Sequence, residues 1–340
     1  MKTSKCTGND RISALFIKET ATASSLYTTH LYNSMIRTGT FPKSLKISKL
    51  TPIHKQRKPV RLRSSYRPIA NLNAIEKVCE ELMQAELSEY MESNNLLLDG
   101  HHGGRKGYST LTAKSSIQYN MDMMNERKKV ALLLTTYLSK AYDTVDHQFL
   151  LRKMRNYGVE DLSIKLMSSY FSDRYQYVES QTFWSSLVLS PPISVVQGSK
   201  MSTLLYNIYT NEVPIMHKLM DDPIMYRELT GNSSKDNTSV LHHTENYVDD
   251  STSNIGADSI PELQLYVDCY IKLLYAVYDA NFLQLNGDKT GMLLTRAERN
   301  NRISFTDRSL QVVTSKEQIK ILGWLTNRRN SMDSHLNSII

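Results

Sequence analysis

Tyr247-Val248-Asp249-Asp250 sets two adjacent carboxylates between two short segments, Val240 to Tyr247 and Ser251 to Gly256. That pattern predicts a β-hairpin with the acids at its tip. Neighbours within a strand point to opposite faces, whereas at a tip at least one acid can turn toward a shared metal ion. The chemistry that needs such a carboxylate is two-metal phosphoryl transfer, in which Mg²⁺ ions roughly 3.5–4 Å apart activate the attacking oxygen and neutralise the leaving one. Solvated turn chemistry is the commoner reason for an Asp-Asp pair, so the surrounding sequence has to decide.

The 340-residue chain is long enough for two or three packed subregions. Its 41 Lys and Arg against 34 Asp and Glu give a net charge of +7, and the pI near 9.1 favours a polyanionic partner. Cys6, Cys79 and Cys269 lie far apart, with no Cys-x-x-Cys and no Cys/His ladder, which argues against a disulfide framework or a zinc knuckle and for a reducing compartment. The N-terminus lacks the apolar run of a signal peptide, and no apolar stretch approaches the ~18 residues of a membrane span. The expected location is intracellular, nuclear or cytoplasmic.

Positioning elements follow from periodicity. Apolar residues at helical spacing from Ile12 to Ile36 predict a helix ended by Gly39 and Pro42, and a short strand follows at Lys49 to Ile53. His54 to Arg67 is the densest positive run, with Lys55, Arg57, Lys58, Arg61, Arg63 and Arg67; it is either a solvated loop or a phosphate contact. Helices are predicted over residues 73–94 and 110–126. Between them lies a Gly-rich basic turn, His102-Gly103-Gly104-Arg105-Lys106-Gly107, whose glycines would let backbone approach a ligand closely. Val130 to Leu134 reads as a buried strand, and Ser139 to His147 as the turn into a helix stopped at Asn156-Tyr157-Gly158. Strands are expected near Tyr175 to Val178 and Leu187 to Leu189, then a helix over Thr203 to Asn211 and an exposed polar excursion from Asp221 to Asn237. A long amphipathic helix, Leu263 to Asn281, precedes strands at 292–295 and 319–325.

Several of these stretches, in this order, resemble the reverse transcriptase domain of non-LTR retrotransposons. Phe41-Pro42, Pro52-Ile53-His54-Lys55 and Tyr66-Arg67-Pro68-Ile69 are similar to its opening segments, and the 102–110 turn to its next block, with Gly104 in place of an aromatic. Leu138 to His147 resembles motif A, Gln197-Gly198-Ser199 motif B, Tyr247 to Asp250 motif C, Leu285-Asn286 with Lys289-Thr290 motif D, and Ile321-Leu322-Gly323-Trp324 the primer-grip block. The resemblance implies an α+β, right-hand polymerase fold: fingers over 1–129, a palm of antiparallel sheet backed by helices over 130–295, and primer-grip strands with the start of a truncated thumb over 296–340. It also implies RNA-directed DNA synthesis with an RNA template, a DNA primer, dNTP and Mg²⁺ or Mn²⁺. The expected metal ligands are Asp249 and Asp250, and Lys289 is the expected proton donor to pyrophosphate. Arg67 and Arg105 would clamp the triphosphate, Tyr142 would exclude a ribose 2′-hydroxyl, Gln197 and Gly198 would position the nucleotide, and Leu322 and Gly323 would grip the primer.

One departure outweighs these matches. Motif A of the family opens with an Asp two places before Ser139, and this chain has Tyr137 there. A phenol with pKa about 10 is neutral at pH 7 and is a poor ligand for a hard cation. Impaired activity is therefore expected. The alternatives are a non-catalytic nucleic-acid-binding remnant and, against the grain of Leu138 to His147, a viral RNA-dependent RNA polymerase. The sequence stops soon after the primer grip, so a fragment of a retroelement polyprotein or a shortened gene is expected.

Overall fold

The computed structural model describes residues 7–327 apart from 57, 181–182, 223, 225–227, 229–239, 298–299, 309–310 and 323. Arg57, Gly323 and most of the polar segment 221–237 therefore lie outside the described residues. The architecture is α+β, and the chain forms two compact units that interleave in sequence, residues 1–96 with 142–209 and residues 97–141 with 210–340.

In the first unit, β1 (Ile47–His54) pairs antiparallel with β2 (Tyr66–Asn71) and parallel with β4 (Tyr175–Val178), which pairs in turn with β5 (Val188–Leu189). The helix predicted from Ile12 to Ile36 is two helices, α1 (Ala14–Glu19) and α2 (Ala21–Thr38), because Thr20 leaves the helical region at φ −96° and ψ 11°. Helix α2 ends on Gly39 at φ 62°, the left-handed conformation glycine adopts without a Cβ penalty. Strand β2 escaped the sequence reading because its Tyr66-Arg67-Pro68 start reads as a turn. Helix α3 (Ala74–Ser93) starts where predicted, at a capping box between Asn73 and Glu76. Motif A does not run straight into a helix. Ala141–Asp143 is a single 3-10 turn, and α5 (His147–Asn156) begins only where Asp146 accepts from Phe149 N–H at 2.7 Å. Helices α6 (Asp161–Phe171) and α7 (Ser202–Tyr209) complete the unit around buried Phe41, Leu72, Tyr170, Tyr206 and Tyr209.

The second unit is organised on a four-stranded antiparallel sheet, β6 (Leu241–Tyr247), β7 (Asp250–Ala257), β3 (Val130–Tyr137) and β8 (Gly291–Thr295), in that order. Helix α4 (Thr110–Glu126) covers one face, where Ile117, Met121 and Met124 pack on Ala131, Leu133 and Leu293. Helix α8 (Ile260–Ala280) covers the other, reaching Thr136 and Ser253 through the Tyr278 and Tyr270 hydroxyls. Both faces are thus buried, which is why β3 reads as an unbroken apolar run with no alternation. Two small hairpins follow, β9 (Ser304–Thr306) with β10 (Val312–Thr314) and β11 (Gln318–Ile321) with β12 (Trp324–Asn327). Among the described residues no helix is long and apolar enough to cross a membrane.

Candidate active site

Strands β6 and β7 are joined by the two residues Val248 and Asp249, as the Tyr247 to Asp250 pattern predicts. Val248 has φ 61°, a conformation that is an outlier for a β-branched residue, so the tip is held by its surroundings rather than by its own preference. The surroundings are the Gly-rich turn. His102 N–H donates to Asn246 O at 2.9 Å and Asn246 N–H to Gly100 O at 2.7 Å, which lays residues 100–102 along the edge of β6. A Cβ on Gly103 would stand 2.5 Å from Val248 Cγ2 and 2.9 Å from Val248 N. The close approach that the glycines permit is, at Gly103, to the chain's own hairpin. The His102 ring spans Thr112 Oγ1 (3.0 Å) and Glu245 Oε2 (2.9 Å), and Ser116 donates to the other Glu245 oxygen.

Register fixes what faces the acids. Asp250 lies directly opposite Tyr137 on β3 and opposite Tyr247 on β6. Cross-strand partners share a face roughly 4.5–5.5 Å apart at Cβ, so the Asp250 side chain shares its face with those of Tyr137 and Tyr247. Burial pushes its pKa up to about 6, with the charge on Asp249 adding to the rise and Lys289 opposing it. The Tyr137 phenol is raised from its ordinary value by burial and then by the charges of Asp250 and Asp249. Its hydroxyl donates a long hydrogen bond, 3.5 Å, to Lys320 O in β11. Tyr137 is therefore neutral and sits against the acidic hairpin.

Beyond Tyr137 the edge of β3 is extended by the segment resembling motif D. Asn286 N–H donates to Tyr137 O at 2.8 Å and Ser139 N–H to Gln284 O at 2.7 Å. This carries exposed Lys289, in the turn after Asn286, into electrostatic reach of Asp250. The structure thus gathers Tyr137, Asp249, Asp250 and Lys289. Arg105 belongs to the same unit but is turned into its own loop, donating to Leu98 O (2.8 Å) and His101 O (3.3 Å) and lying 4.4 Å over the Tyr108 ring. Its Nη1 thus donates to two backbone carbonyls of the same loop. Leu322 turns the β11–β12 hairpin at φ 45° and packs on the α4 side of the sheet.

The other expected residues belong to the first unit. Tyr142 stacks on Tyr206 at 5.3 Å, its hydroxyl 3.4 Å from Thr203 Oγ1. Gln197 donates through Nε2 to Asp143 Oδ1 (3.2 Å), and its carbonyl accepts from Ala70 N–H (2.8 Å). Gly198 has φ 112°, and a Cβ there would meet Ala70 O at 2.7 Å. Arg67 is exposed on β2.

The donor set does not fit a pair of hard divalent ions. Among the described residues no three acidic, His or Cys side chains converge on one point, and the position facing Asp250 supplies a neutral phenol.

Residues 53–325 match the family described as "Reverse transcriptase (RNA-dependent DNA polymerase)". The chain is 28% identical over 216 residues, 62% of its length, to "Probable RNA-directed DNA polymerase from transposon BS" and, over an equal number of residues, to that from transposon X-element, both of Drosophila melanogaster. It is 23% identical over 313 residues to "RNA-directed DNA polymerase from mobile element jockey" of the same organism. These matches span only 23% to 32% of the relatives' own lengths. Among solved structures, apo telomerase from Candida tropicalis superposes with TM-score 0.51 at 11% identity, covering 89% of this chain and 58% of that one. Telomerase from Candida albicans gives 0.50 at 13% identity, covering 88% and 48%. At such identities the likeness concerns fold, and the fold is that of a right-hand polymerase. With the matched family and the motifs in their order, the chain belongs to the reverse transcriptase family, as a domain of the non-LTR retrotransposon kind.

Proposed function

We propose that this chain is a retroelement polymerase domain built to copy RNA into DNA, whose metal site Tyr137 has disarmed while its nucleotide- and nucleic-acid-binding surfaces persist. The observation that carries this reading is the register of Tyr137 against Asp250. The position where the family has a metal-bridging carboxylate faces the acidic hairpin, as a catalytic partner should, and holds a group that cannot be anionic at neutral pH. Under this reading residues 1–129 act as fingers, 130–295 as palm and 296–340 as primer-grip strands and the start of a thumb, and the site of action is inside the cell, nuclear or cytoplasmic. An RNA template, a DNA primer and a dNTP are the partners. Arg67 and Arg105 meet the triphosphate, Tyr142 the sugar, Gln197 and Gly198 the base, and Leu322 and Gly323 the primer. Asp249 and Asp250 are the remaining metal ligands, holding Mg²⁺ or Mn²⁺ weakly and not as a catalytic pair, and Lys289 stands at the position of the proton donor. A non-catalytic binding remnant is the limiting form of the same reading.

Primer extension on an RNA template separates a disarmed enzyme from an active one. The chain as written should extend poorly with Mg²⁺ or Mn²⁺, and Tyr137→Asp should raise extension by roughly a hundredfold or more, since a charge stabiliser in such a site contributes several kcal/mol. Mn²⁺ binding followed by electron paramagnetic resonance should tighten in the same variant. Robust extension by the unaltered chain overturns the reading.

A further inference from the structure

Helix α3 carries two carboxylates that the sequence patterns left unassigned, Glu76 and Glu80, and both are completely buried. Glu80 is held by oxygen acceptance alone. Oε1 accepts from Tyr170 Oη at 2.5 Å and from Ser199 Oγ at 2.9 Å, and Oε2 accepts from the Lys200 backbone N–H at 3.1 Å. Two of these three donors come from consecutive residues of the turn that begins Gln197-Gly198. Ser199 Oγ in turn accepts from Met201 N–H at 3.1 Å, at the start of α7. Behind Glu80, Glu76 is paired with Arg174 at 2.6 Å, and the Arg174 guanidinium lies 4.9 Å over the Tyr170 ring. The Tyr170 hydroxyl that reaches Glu80 is therefore itself fixed from behind.

Among the described residues Glu80 has no direct cationic partner; burial raises its pKa above the ordinary carboxylate value, and the hydrogen bonds from Tyr170, Ser199 and Lys200 oppose that rise. Glu80 thereby organises backbone. The turn is tied at one end to β2, where Ala70 N–H donates to Gln197 O at 2.8 Å and Gly198 leaves no room for a Cβ against Ala70 O. At its other end the ties are to Glu80. Gly198 in between has a left-handed φ and is exposed, so two external anchors define the shape of a stretch that has little conformational preference of its own.

We propose that Glu80 is a positioning residue of the nucleotide site, its carboxylate holding the Gln197-Gly198-Ser199-Lys200 turn in the shape that receives an incoming deoxynucleoside triphosphate. The inference rests on the reading of that turn given under Proposed function. Glu80→Gln keeps the volume but points an N–H group at the Lys200 N–H or loses the acceptor for a hydroxyl, and Ser199→Ala removes one of the tied donors. The probe is a fluorescent deoxynucleoside triphosphate added to chain bound to an RNA template and DNA primer, with Tyr137 and with Tyr137→Asp. Hydrogen exchange at residues 197–201 reports the turn directly.

Glu80→Gln should speed exchange in the turn and weaken nucleotide binding about tenfold, the loss expected when a buried hydrogen bond is left unmade. In the Tyr137→Asp chain it should raise KM for dNTP with kcat nearly unchanged. Ser199→Ala combined with Glu80→Gln should be little worse than either alone. Tyr90→Phe, which deletes the 2.9 Å hydrogen bond to Tyr157 O elsewhere in the unit, is the control for general loss of stability and should leave KM alone. Nucleotide affinity unchanged in Glu80→Gln, or matched by Tyr90→Phe, reduces Glu80 to a strut and overturns the proposal while the polymerase reading stands. Absence of nucleotide uptake by both parent chains overturns the two together.

Discussion

Asp250 is the residue whose ionisation the site most visibly disturbs. In the folded chain it keeps its proton up to about pH 6, against an ordinary 3.8. Between those values the folded state binds more protons than the unfolded one, so stability falls as pH rises through this window. Asp250→Asn should remove that fall, and above pH 6 it should be more stable than the parent by about 1–2 kcal/mol, a figure discounted for the water that reaches the group. Urea unfolding at pH 4 and pH 7.5 checks it; parallel pH profiles for parent and variant would refute the assignment. Raising pH through 6 should also favour cation binding, because the proton and the ion compete for one carboxylate. The departure at 137 was legible because a spacing of two from Ser139 is a property of the sequence. The Glu80 anchor was not, since its partners Tyr170 and Ser199 lie 90 and 119 positions away and only folding brings them together.

The hairpin and the turn beneath it behave as one element. Val248 holds a φ of 61° against the preference of a β-branched side chain, so Val248→Asn, which tolerates that conformation, should stabilise the chain by about 1 kcal/mol in thermal or urea unfolding. Gly103→Ala should do the opposite. Its new methyl would meet Val248 Cγ2 and N inside contact distance, and overpacking of this kind typically costs about 1–3 kcal/mol. A neutral Gly103→Ala would mean that the loop is not seated on the tip. Helices with long apolar periods and clear stops, α3, α4 and α8, were readable to within a few residues, as were the paired strands β6 and β7. The break at Thr20 and the 3-10 turn at Ala141–Asp143 were not, because local backbone geometry there is set by packing and not by pattern. Arg105 shows the same limit at a side chain: its loop reads as Gly-rich and basic, and that pattern does not disclose that Nη1 donates to carbonyls of the same loop.

Across the whole chain, sequence order and structural units do not coincide. Strand β1 pairs in parallel with β4, Ile47 facing Tyr175, and the buried Glu76–Arg174 pair joins positions 98 apart. A fragment of residues 1–129 therefore lacks residues 142–209 of the first unit and most of the second, and should show no cooperative unfolding transition by circular dichroism, whereas the full chain should. The net charge of +7 acts at this level too. Half-buried Lys55 and exposed Arg63 and Arg67 lie on the β1–β2 hairpin, and neutralising single-strand phosphates releases counterions with a slope of roughly −0.7 per contact in log K against log salt. If all three touch RNA, the combined substitution of Lys55, Arg63 and Arg67 by Ala should flatten that slope by about 2. Tyr137→Asp should leave it unchanged, since the phenol lies at the acidic hairpin and not on the basic one. Fluorescence anisotropy of a labelled RNA strand between about 50 and 200 mM salt, the range over which such slopes are read, measures both; an unchanged slope in the triple variant would move the RNA path away from this hairpin.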